Sequence, residues 1–189
     1  MNKYYGLAFD KTPDEKQWQE ILKESFTVPF KMTWINTKLG YFYSEENINQ
    51  TISELLPLWE SDLALQITAL VTFDFNRMST MALKLSAKYQ RGKLLNMADV
   101  CLLALIHDEK DFLSVVDDYF VAINQELLHT MSAYLANNAN GIKVAQQLYI
   151  HRNTWLYRLN KFTRFTGLDL RDFDDAAFFN FWLSKNKLG

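Results

Sequence analysis

The chain has 189 residues, of which 49% are hydrophobic and 22% charged, a composition ordinary for a globular protein. It contains no run of about 18 uncharged apolar residues, so we expect no membrane span. The N-terminal residues do not resemble a signal peptide, and Cys101, the only cysteine, excludes an intrachain disulfide. Both observations favour a cytoplasmic protein.

The net charge of −2 conceals an uneven distribution. Residues 1–124 carry 12 basic and 17 acidic side chains, whereas residues 125–189 carry 8 basic and 5 acidic ones. No Asp or Glu occurs between Leu127 and Leu168. A locally positive segment in a net acidic protein is what contact with a phosphate backbone requires, although a merely solvated basic face has the same composition.

Strand and helix signals alternate over the first part of the chain. Residues 4–9 are rich in aromatic side chains and predict a strand, and Thr12 followed by Pro13 predicts the N-cap and first position of a helix. Beyond that helix, which should end near residue 26, we predict a hairpin of residues 30–36 and 41–44, a helix from 44 to about 56 that ends before Pro57, a short turn or helix over 58–65, and a central strand over 67–75.

After Asn76 the apolar residues recur mainly with helical spacing. We predict helices over residues 79–90 and 97–107, with a break at Gly92, followed by a longer helical tract from residue 111.

This change from mixed to helical signals divides the chain near residue 107, although no Pro-, Gly- or Ser-rich linker marks the position. The predicted fold class is therefore α+β. A small sandwich-like α/β domain with a mixed or antiparallel sheet should span residues 1–106. An all-α domain should span residues 107–189, with a helix-turn-helix core at about 128–185.

The pattern between residues 127 and 168 predicts the helix-turn-helix itself. Trp155, Leu159 and Phe162 recur at i, i+4 and i+7 and should face the core. The predicted elements are a helix over 127–135, a break at 137–141 in which Asn140 caps the next helix, a short helix over 142–148, a connection over 149–151 with Ile150 as its buried pin, and a third helix over 152–165 that Gly167 ends.

In a helix-turn-helix, the second helix enters the major groove with its N-terminal residues at the base edges. Arg152 and Asn153 would occupy that position here, and these residue types pair with guanine and adenine, respectively. The reach and charge for phosphate oxygens belong to Arg158, Lys161 and Arg164. His151 should act mainly as an N-cap. The predicted DNA-binding residues are Lys143, Arg152, Asn153, Thr154, Leu156, Tyr157, Arg158, Lys161 and Arg164.

The segment closely resembles the C-terminal helix-turn-helix of PucR-type regulators, a group that includes sugar-diacid (CdaR-like) and purine-catabolism regulators. This resemblance implies a transcription regulator. It also implies a degenerate GGDEF-like domain upstream, because residues 67–106 are similar to the end of the one found in many such proteins. The residues that carry the main resemblance are Tyr134-Leu135, Asn138, Ala145, Leu148, Ile150-His151-Arg152-Asn153-Thr154, Tyr157-Arg158-Leu159 and Thr166-Gly167-Leu168-Asp169-Leu170.

Two residues depart from that family pattern. Trp155 stands where the family usually has a smaller aliphatic residue, and Leu156 stands where it usually has a polar or basic one. Leu156 is compatible with contact to a thymine methyl group and equally with weakened DNA contact.

No catalytic, metal or cofactor site is predicted. The three histidines are far apart in the sequence, and the adjacent acid pairs at 117–118 and 174–175 diverge on helices. The six glycines are too dispersed to form a phosphate-cradling loop.

The leading hypothesis is a regulator that binds duplex DNA as a homodimer, because one recognition helix reads too few base pairs for useful specificity. The competing hypothesis is an interaction protein that keeps the helix-turn-helix fold without sequence-specific DNA binding. The aromatic residues between 173 and 182 should close the core of the module, or alternatively form a dimer seam. The sequence specifies no effector.

Overall fold

The computed structural model describes residues 3–26 and 30–188. Within them it has a five-stranded mixed sheet and a wholly helical C-terminal region, which confirms the predicted α+β class. The chain forms two compact units, Met1–Phe112 and Leu113–Gly189, called unit 1 and unit 2 below. In the part of the chain that is described, no helix combines the length and apolarity that membrane crossing demands.

Unit 1 is a sheet with helices on its faces. The sheet order is β2-β3-β1-β4-β5, with every pair antiparallel except the parallel pair β4–β5. The first six elements follow the β-α-β-β-α-β order of a split βαβ motif. The elements are β1 (Lys3–Phe9), α1 (Glu15–Ser25), β2 (Thr33–Asn36), β3 (Leu39–Ser44), α2 (Asn49–Leu63), β4 (Ile67–Thr72), α3 (Arg77–Tyr89), β5 (Leu94–Asn96) and α4 (Met97–Ile106).

The core of unit 1 lies between the sheet and the helices α1 and α2. Alternate β1 residues Tyr5, Leu7 and Phe9 point into it, as the period of two in a strand requires. Trp18 of α1 and Trp59 of α2 meet there edge to face, with ring centroids 5.1 Å apart. This aromatic cluster accounts for much of the high aromatic content of the first 60 residues.

Helix α2 runs through Pro57, so the prediction that a helix ends before this proline is wrong. A proline inside a helix costs roughly 3 kcal/mol, because it removes one backbone hydrogen bond and crowds the preceding turn. Continuing the helix buries Trp59, and removing about 200 Å² of aromatic surface from water contributes on the order of 5 kcal/mol. Burial of the next turn therefore outweighs the proline penalty.

Strand β5 was not predicted, because three residues are too few to show a periodic pattern. It pairs with β4 through Leu94, Leu95 and Asn96. At the other side of the sheet, the register of β2 against β3 shifts between Trp34 and Asn36.

Unit 2 is helical. Helix α5 (Lys110–Val121) spans the division between the units. The remaining helices are α6 (Gln125–Ala136), α7 (Gly141–Gln147), α8 (Arg152–Thr166) and α9 (Phe173–Leu188), and Asp172 caps α9 by accepting from the backbone N–H groups of Asp174 and Asp175.

The C-terminal aromatic residues divide between the core and the surface. Phe178 and Phe179 are fully buried and pack on Phe120 of α5, with ring centroids 5.2 and 5.6 Å away. Phe173 is 82% exposed. The expected core role therefore holds for the middle of α9, whereas its first residue remains available for another contact.

Helix α1 begins two residues later than predicted, with Asp14 rather than Thr12 as its N-cap. The Asp14 carboxylate accepts hydrogen bonds from the backbone N–H groups of Lys16 and Gln17, each at 2.9 Å. A carboxylate satisfies these donors and also interacts favourably with the positive end of the helix dipole, which a threonine hydroxyl does less well.

We expect Asp14→Ala to lower the free energy of unfolding of unit 1 by about 1 kcal/mol, because two backbone donors lose their acceptor. Thr12→Ala, the matched control, should change it by less than about 0.5 kcal/mol, as is usual for surface substitutions away from a cap. Urea denaturation of the full chain measures both values. Equal effects of the two substitutions would contradict the assignment of the cap.

Candidate nucleic-acid interface

Helices α7 and α8 form the predicted helix-turn-helix. Side-chain caps start both helices, and a glycine ends α8. Asn140 accepts from the N–H groups of Ile142 and Lys143, each at 3.1 Å, and so starts α7. His151 starts α8, because its Nδ1 accepts from the N–H of Asn153 at 3.2 Å. Gly167, at φ 74°, ends α8 in the left-handed conformation. The predicted caps at these three positions are confirmed.

The inward face of α8 is apolar. Trp155, Leu159 and Phe162 are buried, as their spacing predicts, and the Trp155 ring lies 4.6 Å from that of Tyr134 on α6. The indole also lies against the first residue of α7, since a Cβ added to Gly141 would stand 2.2 Å from Trp155 Nε1. The absent side chain of Gly141 thus provides the room for this unusually large residue.

The outward face of α8 combines basic, amide and aromatic side chains without any carboxylate. Leu156 is 49% exposed and therefore lies on this face rather than in the core. A shallow depression of about 170 Å³ is lined by Tyr157, Asn160, Lys161 and Arg164. The predicted contact residues that share this exposure are Arg152, Asn153, Thr154, Leu156, Tyr157, Lys161 and Arg164, and Lys143 is exposed on α7.

Arg158 differs from the other predicted contact residues, because its guanidinium folds against α6. Its Nη1 donates to Thr130 Oγ1 at 3.1 Å, and its Nη2 donates to the carboxylate of Glu126. The side chain is only 17% exposed. In this position Arg158 joins α8 to α6, and two of its donor groups are already engaged.

The loop after α8 is held by a chain of polar contacts. Thr166 Oγ1 accepts from the N–H of Leu168, and Asp169 receives two hydrogen bonds from the Arg171 guanidinium, at 2.7 and 2.5 Å. Hydrogen bonding to Asp169 raises the pKa of Arg171, and the backbone N–H of Asp169 donates to Asp175. Since Leu168 and Leu170 are buried, the run from Thr166 to Leu170 fixes the end of α8 on the core.

Tyr149 is a candidate contact residue that the sequence did not reveal. It lies in the turn between α7 and α8 with φ 52°, and its side chain is 97% exposed. A bulky residue in the left-handed region is an outlier, and full exposure means that packing does not compensate the strain. In the sequence, a tyrosine beside Ile150 resembles a core residue. Ile150 itself is half-buried, so its predicted burial as the pin of the turn is only partial.

We expect Gly141→Ala to lower the free energy of unfolding of unit 2 by about 1–3 kcal/mol, the usual penalty for overpacking, because the added methyl group collides with the Trp155 indole. In a Trp155→Leu background the same change should have a smaller effect, since the ring is gone. A double-mutant cycle of urea denaturation measures the coupling. Additive effects would show that the indole does not occupy this space.

Residues 127–183 match the PucR C-terminal helix-turn-helix domain. Over this region the chain is homologous to PucR/CdaR-type regulators. It is 44% identical over 52 residues to the carbohydrate diacid regulator of Escherichia coli K12. It is 45% identical over 49 residues to the purine catabolism regulatory protein of Bacillus subtilis. These matches cover 28% and 26% of this chain, and 14% and 9% of the two regulators.

A longer match reaches into unit 1. The chain is 30% identical over 149 residues to a leucine-rich protein of Streptococcus dysgalactiae subsp. equisimilis. This match covers 72% of the chain, which spans about half (53%) of the length of that relative. The family match lies within unit 2, while the match to the streptococcal protein is longer than unit 2 and therefore extends beyond it.

Proposed function

We propose that the protein is a transcription regulator that binds duplex DNA in the cytoplasm, with α8 as its recognition helix in the major groove. The observation that carries this proposal is the outward face of α8, which is exposed, basic and free of carboxylates in a helix-turn-helix whose apolar face is fully anchored. The homology to transcription regulators supports the same function. The proposed mechanism is binding, not catalysis.

The N-terminal turn of α8 supplies the proposed base contacts. Arg152 and Asn153 follow the His151 cap directly and are exposed, so both can reach base edges in a bidentate manner. Thr154 and Leu156 lie beside them, and Leu156 offers an apolar surface to a thymine methyl group.

Positive charge further along α8 supplies the proposed phosphate contacts. Lys161 and Arg164 line the shallow depression with Tyr157, and Lys143 adds a cation from α7. These groups would position the protein without reading sequence. Arg158 has a different proposed role, since its bonds to Glu126 and Thr130 make it a positioning residue that fixes the angle of α8 on α6.

We further propose that the protein acts as a homodimer and that unit 1 is a degenerate GGDEF-like domain. A dimer would present two copies of α8 to half-sites about 34–36 Å apart. The proposal for unit 1 rests on the similarity of residues 67–106 to the end of such domains, and within unit 1 that segment forms β4, α3, β5 and α4.

The alternative function is a protein-interaction module with the same fold. It is favoured by the exposed apolar side chains on or near α8, namely Leu156, Phe165 and Phe173. Such side chains are common at protein interfaces, whereas phosphate contacts need charge.

We expect Arg152→Ala and Asn153→Ala each to cost about 1–3 kcal/mol of binding free energy for a duplex selected from a random pool, and to relax the preference at one base pair. Lys161→Ala should instead weaken binding to all sequences alike and reduce the salt slope by about one, because it removes a phosphate contact. Fluorescence anisotropy at several salt concentrations measures both effects. Lys187→Ala, which removes a cation from α9, is the matched control.

The same titrations separate the two functions. Saturable binding with steep salt dependence that Arg152→Ala and Asn153→Ala weaken supports the regulator. The absence of binding at low salt supports the interaction module, and binding that neither substitution changes would mean that α8 is not the recognition helix.

We expect Tyr149→Gly to bind DNA more weakly than the unsubstituted protein while being equally or more stable. Glycine relieves the left-handed strain, and the substitution removes an exposed phenol beside the first turn of α8 that can donate to a phosphate. Ala139→Gly is the control, because Ala139 is also exposed and left-handed, at φ 57°, but lies outside the turn before α8. Unchanged DNA affinity of Tyr149→Gly would remove Tyr149 from the interface, and Tyr149→Phe tests the hydroxyl alone.

A further inference from the structure

Unit 1 contains a cleft that has no part in the proposed DNA contact. It is bounded by the end of β1, the start of β4 and the second half of α3, and its volume is about 280 Å³. A neighbouring recess of about 380 Å³, bordered by the β2–β3 turn, shares several residues with it. Both contain Ala8 and Ala87, whose small side chains leave the space between sheet and helix unfilled.

The lining of this cleft is strongly cationic. Lys38, Lys84, Lys88 and Arg91 all border it, whereas Asp10 is the one carboxylate among its lining residues. This concentration occurs in the part of the chain that is net acidic. Lys84 and Lys88 lie one turn apart on α3, where like charges destabilise a helix, and Arg91 follows just beyond the end of α3.

Three of these cations already have hydrogen-bond partners: Lys38 and Arg91 donate to neutral oxygens, and Lys88 forms an ion pair with Glu109. Lys38 Nζ donates to the backbone carbonyl of Asp10 at 2.7 Å, and Arg91 Nη1 donates to Gln66 Oε1 at 3.2 Å. Lys88 donates to Glu109 at 2.7 Å, and hydrogen bonding to Glu109 and Tyr89 raises the pKa of Lys88 to about 12. Each of these side chains keeps further N–H donors for a ligand.

The fourth cation, Lys84, has no such partner among the residues that the structure describes. It is exposed, and it forms no ion pair with the residues that the structure describes. The negative end of the α3 dipole favours Lys88 in the last turn, but this effect fades within one turn and does not reach Lys84. An anion in the cleft would satisfy Lys84 and Lys38 together.

We propose that this cleft binds a small polyvalent anion, a phosphorylated or polycarboxylate metabolite. The volume lies near the lower end of the range for small-molecule pockets, roughly 300–1,000 Å³, and so suits a ligand of a few carbon or phosphorus centres. Lys84, Lys38 and Arg91 all line the cleft and would contact the negative oxygens of such a ligand.

The test is calorimetric titration of the 189-residue chain with pyrophosphate and, separately, with citrate, at constant ionic strength. We expect saturable binding of at least one probe with one site per chain, and the preferred probe identifies the phosphate or the carboxylate class. Lys84→Glu should weaken this binding by about tenfold or more, because one attractive contact becomes repulsive. Lys16→Glu, which reverses an exposed charge on α1 outside the cleft, should leave it unchanged.

Two results would overturn the proposal. One is the absence of saturable binding for both probes at millimolar concentration, and the other is an equal effect of Lys84→Glu and Lys16→Glu. Far-UV circular dichroism of each variant checks that unit 1 is folded. Since no residue of the cleft belongs to α7 or α8, DNA binding by the same preparations reports on the proposed regulator function independently.

Discussion

The packing of Trp155 against Gly141 and Tyr134 is the contact on which the helix-turn-helix depends. It brings together α6, α7 and α8 at one point, because a single indole touches the start of α7 and a ring of α6. Because this side of α8 is anchored, the opposite side is exposed to solvent, and its basic and amide residues have fixed positions along the helix. The proposed groove-binding surface depends on that division of the helix into two faces.

The chemistry of this surface is shaped by a second constraint, the engagement of Arg158. Charge in a sequence is counted by residue type, but charge available to a ligand depends on which groups are already paired. Glu126 lies just before the carboxylate-free stretch and takes up one of its cations. The outward face therefore has less positive charge than the sequence indicates, and the positions of Lys161 and Arg164 matter correspondingly more.

The sequence predicted the parts of the fold that depend on local patterns. The period of apolar residues located α8, and the cap preferences of Asn140 and Gly167 located the start of α7 and the end of α8. It failed where a distant contact decides the outcome. Pro57 continues a helix because Trp59 is buried against α1, and β5 exists because β4 offers it a partner.

The candidate site shows the same limit. The exposure of Arg152 and Asn153 follows from helical period alone, whereas the inward fold of Arg158 requires α6 to lie beside α8. The left-handed conformation of Tyr149 could not be predicted from the sequence, because the usual signal for that conformation is a glycine or an asparagine. The cleft of unit 1 joins residues that are as far apart in sequence as Lys38 and Lys84, so no window of sequence could show it.

The outermost strands of the unit 1 sheet have a consequence for how copies of the protein can meet. One edge is β5, with only three residues, and the other is β2, whose four residues are interrupted by an irregular register. Short or bulged edges offer few aligned N–H and C=O groups to another strand, and they protect proteins from aggregation through continuous intermolecular sheets. Extension of this sheet is therefore an unfavourable route for contact between two copies of the protein.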